Sequence, residues 1–293
     1  MQRIISPWKS FKKYMRDHGP VFHICAAILW LWALSLLFVL FLGLMITFTE
    51  GRQYELYPNR IFPEKFYFKN YAMAFEHINY GGTSFFGMLI NSVWFSVGCT
   101  FCRLVATSLC AYVMAKYNFK GKKIFYGFLI FQLMLPTYGT GVSNYVFMGE
   151  MGLLDSPLFL LSQFAGHGGN FLIMHSYFLG IAPEYKEAAF LDGANDFQFF
   201  VKIIVPIARA PILAIGIMQF TALWNDYATP MIYLPNYPTL LTGLFRYKLV
   251  AIYDLDTPVF FSGVLLTALP TAIIFTLFSG ELMKNLTIGG IKG

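Results

Sequence analysis

The residue types that most often carry chemistry are sparse in this chain and poorly placed for it. Cys99 and Cys102 form a C-x-x-C inside an apolar run, with no second pair and no nearby His, so they read as small apolar residues. Cys25 and Cys110 also lie in or beside such runs, and no disulfide framework is implied. His167 and His175 are too few and too far apart to hold zinc, and the glycines of residues 166–169 follow no strand, so they make no dinucleotide fingerprint. Gly121–Lys122 lacks the rest of a G-x-x-x-x-G-K-[ST] phosphate loop. The informative spacing lies in residues 187–211, EAAFLDGANDFQFFVKIIVPIARAP: Glu187, Ala188, Ala189, Asp192, Gly193 and Ala194, then Ile203 and Pro206. Such a stretch has no groups for bond-making. What it can do is mechanical.

Pro183 suits the first turn of a helix, where its missing N–H would be unpaired anyway, and residues 184–191 are good helix formers. Gly193 lets the backbone turn, or lets a partner approach closely. A second helical stretch runs from Asp196, an expected N-cap, with Phe197, Phe199, Phe200 and Ile203 as its apolar face. Pro206 and Pro211 then bend the chain away. Isolated helices under about 12–15 residues are marginal in water, so both need a surface to pack on. An ordinary helix-turn-helix loop packed on its own bundle would meet that need as well as a partner protein would.

The elements around this loop are membrane spans. Hydrophobic residues make up 57% and charged ones 12%, against about 25% charged in a soluble domain. A hydrocarbon core of roughly 30 Å takes about 20 apolar helical residues. Residues 24–48, 124–148 and 257–280 carry no charge, 85–115 carries only Arg103, and 210–234 only Asp226. Residues 157–182 are uncharged but interrupted at 166–169; the first part reads as an outer-surface segment and 168–182 as the span. The expectation is an all-α polytopic membrane protein with about six transmembrane helices.

Lys and Arg set the orientation. Most of the 21 fall on one side: Arg3, Lys9, Lys12, Lys13 and Arg16 in the N-terminal arm, Lys116, Lys120, Lys122 and Lys123 after the second span, Lys186, Lys202 and Arg209 after the fourth, and Lys284 and Lys292 in the tail. Arg52, Arg60, Lys65, Lys69, Arg246 and Lys248 on the other side stand near acids such as Glu50, Glu55, Glu64 and Asp254. Both termini and the 183–206 loop are therefore expected in the cytoplasm, and the net charge of +6 needs no nucleic acid. The first apolar run exceeds the 7–15 residues of a signal-peptide core and is expected to stay as an anchor. No linker divides the chain, so residues 1–293 are expected to form one transmembrane domain. The segment 49–83 forms a small exterior cap with a short helix near residues 70–75.

Residues 187–206 resemble the signature loop of binding-protein-dependent ABC importers, EAA, three variable residues, G, nine variable residues, I, one variable residue, LP. Here Val205 replaces the Leu. Trp224, Asn225 and Asp226, followed by Pro230, look like the WND or WNE motif of carbohydrate permeases, and the terminal NLTIGGIKG is similar to the tail of the smaller maltose-type permease. The resemblance implies the type I permease fold of an ABC importer in the cytoplasmic membrane of a prokaryote. It implies a coupling helix seated on an ATPase subunit, and a tail contact to the same ATPase through Gly289, Gly290, Lys292 and Gly293. Implied partners are a second homologous permease, two ATP-binding subunits and an extracytoplasmic sugar-binding protein, besides membrane lipid. This chain would bind no cofactor; ATP and magnesium would sit on the ATPase. The cargo implied is a sugar or oligosaccharide, with a phosphorylated or acidic sugar-like compound, such as a glycerol phosphodiester, as the alternative. A secondary transporter would need intramembrane carboxylates beyond Asp226, and a membrane enzyme a cluster of His, Asp or Glu; the sequence has neither.

Charges within spans are costly and face a cavity or a partner. Asp226 is open to two readings, substrate contact or a structural hydrogen bond, and Arg103 pairs with an acid of this chain or of a partner subunit. Asn144, Tyr145, Gln219, Trp224 and Asn225 join Asp226 as candidates for a polar path.

Overall fold

The computed structural model describes residues 19–135, 141–165, 168–254 and 257–286, mostly helical with no strand among them. The terminal residues Gly289, Gly290, Lys292 and Gly293 lie outside the described residues, as does most of the basic N-terminal arm. Helix α1 (Pro20–Thr47) has Pro20 in its first turn and almost no amphipathic character, as expected of a helix surrounded by hydrocarbon. Two short helices follow, α2 (Gly51–Leu56) and α3 (Lys69–His77), in the expected exterior cap. Asn70 pins this cap to the end of α1, donating from Nδ2 to the Thr47 and Thr49 carbonyls at 2.8 Å each. The two carbonyls are left over by the helix end.

The axis of the bundle is α4 (Phe85–Lys116), capped by Ser84, whose Oγ accepts from the Gly87 N–H. At 32 residues it is about 48 Å long, more than a bilayer core requires. Around it pack a 3-10 helix (Pro157–Ala165) and the later helices of the chain. In chain order the elements are α5 (Lys122–Met134), α6 (Gly141–Glu150), the 3-10 helix, α7 (Gly168–Leu179) and α8 (Glu184–Leu191). Then come α9 (Asp196–Phe199), a π-helical turn (Phe200–Ile204), α10 (Val205–Ile207) and α11 (Arg209–Trp224). The chain closes with α12 (Ala228–Tyr233), α13 (Leu240–Asp254) and α14 (Thr257–Leu286).

Among the described residues three helices are long and apolar enough to cross a membrane unaided: Val21–Thr47, Phe85–Lys116 and Thr257–Phe278. A fourth appears if Asp196–Ile207 and Arg209–Trp224, bent by 78° at Ala208, count as one broken span. The other apolar segments are assembled from shorter pieces, so the six expected spans are not six unbroken helices. Pro206 and Pro211 lack the N–H groups a continuous helix would use, which accounts for the bend. The expected span 210–234 ends early, at Trp224, because Asn225 and Asp226 compete for backbone groups. Asn225 Nδ2 donates back to the Thr221 carbonyl at 2.8 Å. Asp226 Oδ1 accepts the Ala228 and Thr229 N–H groups, both at 3.0 Å, and so starts α12.

The segment 157–165 departs most from the expectation. It is no outer-surface strap: Phe159 is buried and stacked on Phe95, and Gln163 meets Arg103 halfway along α4. Gly98 makes this possible, since a Cβ there would lie 2.8 Å from Leu160 Cδ1. Arg103 correspondingly pairs with no acid of the described chain; its Nε and Nη2 donate to Gln163 Oε1 at 2.9 and 2.6 Å.

Three buried clusters hold the bundle. One, at the end of α4 that carries Lys116, gathers Tyr112, Met114, Phe171, Met174, Phe178, Phe199, Phe200 and Ile204. A second joins α3, α4, α13 and α14 through Ala74, Ile78, Met88, Leu240, Leu244 and Val259. Gly243 and Gly263 allow that approach, because a Cβ on either would overlap the Met88 or the Ile78 side chain. The third surrounds Phe95, Cys99, Phe159, Leu223 and Leu234.

Candidate functional site

The loop 183–206 is built by two complementary cap motifs. Helix α8 ends in a Schellman turn: the Ala194 N–H donates to the Ala189 carbonyl at 2.9 Å and the Gly193 N–H to the Phe190 carbonyl at 3.1 Å. That turn needs a left-handed residue, and Gly193 has φ +82°. Nothing lies within 4 Å of where its Cβ would be, so the glycine serves the turn rather than a close approach within this chain. The N-cap of α9 is Asn195, not Asp196. Asn195 is extended (φ −86°, ψ 170°), its Oδ1 accepts from the Gln198 N–H at 2.8 Å, and Gln198 Oε1 accepts from the Asn195 N–H at 3.1 Å. This reciprocal capping box satisfies two orphan donors and contributes about 1 kcal/mol.

The faces of the two helices sort cleanly. Ala189, Phe199, Phe200 and Ile204 are buried in the first cluster, with Ala194 and Ile203 packed against it. Glu187, Ala188, Asp192, Gly193 and Pro206 are exposed. Phe197, expected on the inner face, points outward at 71% exposure, and Leu191 is 88% exposed. Two large apolar side chains thus flank Gly193, largely uncovered by the described residues.

With Asn195 doing the capping, Asp196 is free for other contacts. Its Oδ1 accepts a hydrogen bond from the Tyr117 hydroxyl and lies 3.5 Å from Lys186 Nζ. Lys186 Nζ also stands 3.9 Å from the centre of the Tyr117 ring and 5.1 Å from that of Phe190. The Tyr112 and Tyr117 hydroxyls are 3.2 Å apart, and Lys122 Nζ donates to the Tyr117 carbonyl at 2.9 Å. Burial first, and the Asp196 carboxylate beside it, hold the Tyr117 hydroxyl well above the usual tyrosine pKa, so it stays a donor. Each of these contacts is worth well under about 1 kcal/mol at such exposed positions. Sequence reading named Lys186 only as a loop charge and did not pick out Tyr117; an aromatic residue ending a long helix above a basic loop was the available sign.

The other candidate region lies about 24 Å away, at the opposite end of the 16-residue α11. There a cleft of about 390 Å³ opens between α11, α13 and α14, lined by Trp224, Asn225, Tyr227, Phe245, Lys248 and Thr271 among others. Tyr227 and Phe245 stack with ring centres 4.3 Å apart. Trp224 Nε1 donates to the Thr267 carbonyl at 2.9 Å, beside Pro270, whose missing N–H loosens the α14 ladder. Of the residues expected to form a polar path, the cleft gathers Trp224 and Asn225. Asp226 is turned to the backbone of α12. Gln219 is buried in α11, its Oε1 without a hydrogen-bond partner among the described residues. Asn144 and Tyr145 are exposed on α6, Tyr145 facing the Tyr233 ring at 6.1 Å.

Among the described residues, a helical bundle with spans broken into short helices carries a glycine-turned loop at one end and an aromatic cleft at the other, the layout of a polytopic membrane protein. Residues 104–280 match the binding-protein-dependent transport system inner membrane component family, and the chain belongs to it. It is 26% identical to the diacetylchitobiose uptake system permease protein NgcG of Streptomyces coelicolor, over 91% of this chain and 87% of that one. It is 27% identical to the arabinooligosaccharides transport system permease protein AraQ of Bacillus subtilis, over 95% of this chain and all of that one. Its fold matches, with a TM-score of 0.74 and 21% identity, a chain in the crystal structure of a bacterial ABC transporter involved in the import of the acidic polysaccharide alginate. That match covers 90% of this chain and 98% of the other.

Proposed function

We propose that this chain is the membrane-spanning permease subunit of an ATP-driven importer of a sugar or oligosaccharide, coupled to a separate ATPase through residues 183–206. The observation that carries the reading is the shape of that loop. Its inner face is buried and its caps are closed, yet Leu191 and Phe197 stand uncovered on either side of the Gly193 turn. Two large apolar side chains on a polar turn favour a protein partner, since exposed apolar surface is where association gains most. The names of the relatives, uptake systems for diacetylchitobiose and arabinooligosaccharides, support a neutral saccharide as cargo.

In this reading ATP and magnesium are held by two ATP-binding subunits, a second permease completes the membrane unit, and an extracytoplasmic binding protein delivers the sugar. The loop and both termini face the cytoplasm of a prokaryotic cell. The apolar surface of α1, exposed along most of its length, is covered by lipid or by the second permease. The tail residues Gly289, Gly290, Lys292 and Gly293 add a contact to the ATPase. The aromatic cleft at the end of α11 contributes to the sugar pathway, with the Tyr227–Phe245 pair as a stacking face and Asn225 and Lys248 as polar groups.

The test is co-purification of this chain with its ATPase. Leu191→Asp and Phe197→Asp should each reduce recovery of the complex at least tenfold while leaving membrane insertion intact. Wild-type recovery from both would overturn the coupling role of the loop.

A further inference from the structure

The loop is tied to the bundle at its two ends, where Lys116 Nζ donates to the Ile181 carbonyl and the Tyr177 hydroxyl to the Ile207 carbonyl, but between these points two short helices held by apolar packing alone can slide or tilt. A loop that tilts absorbs a push instead of passing it on. The contacts of Asp196 bear directly on this. It lies on α9, Lys186 lies on α8, and Tyr117 is the residue that ends α4, so one carboxylate, one ammonium and one phenol join all three elements at a point. Tyr117 is itself fixed from behind: its N–H donates to the Val113 carbonyl at 3.1 Å, its carbonyl accepts from Lys122 Nζ, and its hydroxyl meets that of Tyr112.

None of these groups is needed to form the helices. Asn195 caps α9, Gly193 closes α8, and Val113 already takes the last N–H of α4. Nor are they needed to hold the loop on the bundle, which Phe199, Phe200 and Ile204 do by burial. What directional contacts add to non-directional packing is a fixed angle.

We propose that Tyr117, Lys186 and Asp196 form a latch that makes the 183–206 loop and α4 move as one body. A displacement received at the loop is thereby delivered to the far end of the longest span. The proposal rests on the coupling role proposed above and names the route the movement takes beyond the loop. The three residues act as positioning residues; none needs to touch cargo or nucleotide.

The test uses the complete complex of this chain with its partner subunits, in a background free of native cysteines. Phe86→Cys, exposed at the far end of α4, carries the reporter. Its rate of thiol labelling is measured without nucleotide and after trapping with ATP and vanadate. The latch requires a change of at least threefold in the otherwise wild-type complex. Tyr117→Phe, which keeps the ring under Lys186 and removes only the hydroxyl, and Asp196→Asn should each reduce the change to less than half. ATP hydrolysis in Tyr117→Phe should stay within twofold of wild type, and Asp196→Glu should restore the response. Lys120→Ala, an exposed basic residue beyond the end of α4 and outside the latch, serves as the control.

A full labelling change in both Tyr117→Phe and Asp196→Asn would overturn the latch while leaving the coupling loop standing. A wild-type complex that hydrolyses ATP with no change at position 86 would likewise overturn the delivery of movement to the far end of α4, whereas the coupling role itself stands or falls with recovery of the complex in Leu191→Asp and Phe197→Asp. Loss of assembly in Asp196→Asn alone leaves Tyr117→Phe to decide, because that variant deletes no charge and no packing.

Discussion

Gly193 and Asn195 show how much of the loop rests on single residues. A φ of +82° costs a residue with a Cβ roughly 1–2 kcal/mol, less for Asn, and most for a β-branched side chain. Because no neighbour crowds the site, the penalty is purely conformational. Gly193→Asn should therefore retain most of the uptake, Gly193→Ala an intermediate level, and Gly193→Val little, at equal membrane insertion; an uptake series in cells checks the order. Asn195→Ala removes the capping box and should cost about 1 kcal/mol, read as a lower melting temperature of the detergent-solubilised chain. The position of Gly193 was legible because a Schellman turn is local and its glycine stands in the string. The choice of Asn195 over Asp196 was not, since either side chain can cap. Only the presence of Tyr117 and Lys186, the former 79 residues away along the chain, shows why the aspartate is used elsewhere.

Among the elements, the broken spans carry the lesson. Hydropathy marks which residues sit in a membrane, and the apolar runs proved largely helical where described. It does not mark where a run is cut. The cut after Trp224 follows from side chains bonding their own backbone, a feature that reads in hindsight from the Asn225–Asp226 pair. The inward course of residues 157–165 follows from Gly98 and Arg103 on a distant helix and has no local sign. Asp226 belongs to this scale too. Asp226→Asn preserves an oxygen for the Ala228 and Thr229 N–H groups, so assembled complex and sugar selectivity should both stay near wild type. Asp226→Ala should lower the yield of assembled complex for every sugar alike. A change of selectivity in Asp226→Asn, measured as uptake across several sugars, would return the carboxylate to the cargo pathway. Gly243→Leu should reduce the yield further, because the Met88 side chain has no room to withdraw from a buried seam.

For the whole molecule the basic residues set the expected orientation. Cysteine substitutions at Lys122 and Glu187 should be labelled from the cytoplasmic side, and those at Lys65 and Lys248 from outside; external labelling at position 187 would reverse the reading of both the loop and the cleft. The family and the all-helical bundle were legible from composition and one motif because both are written in contiguous residues. The cleft was half legible: Trp224 and Asn225 announce it, whereas Phe245, Lys248 and Thr271 reach it only through the crossing of α13 and α14 over α11.

Helix α1 packs chiefly on α14, with Gly43 against Phe261, so the first span made and the last are neighbours. A ribosome adding 5–20 residues per second needs roughly 10–50 s to travel from the end of one to the end of the other. For that interval α1 waits in the bilayer without its companion, and its even, charge-free surface is what lets it wait. A chain stopped before residue 257 should leave α1 as a stable helix held only by its cap, and the bundle should become resistant to protease only once α14 has been made.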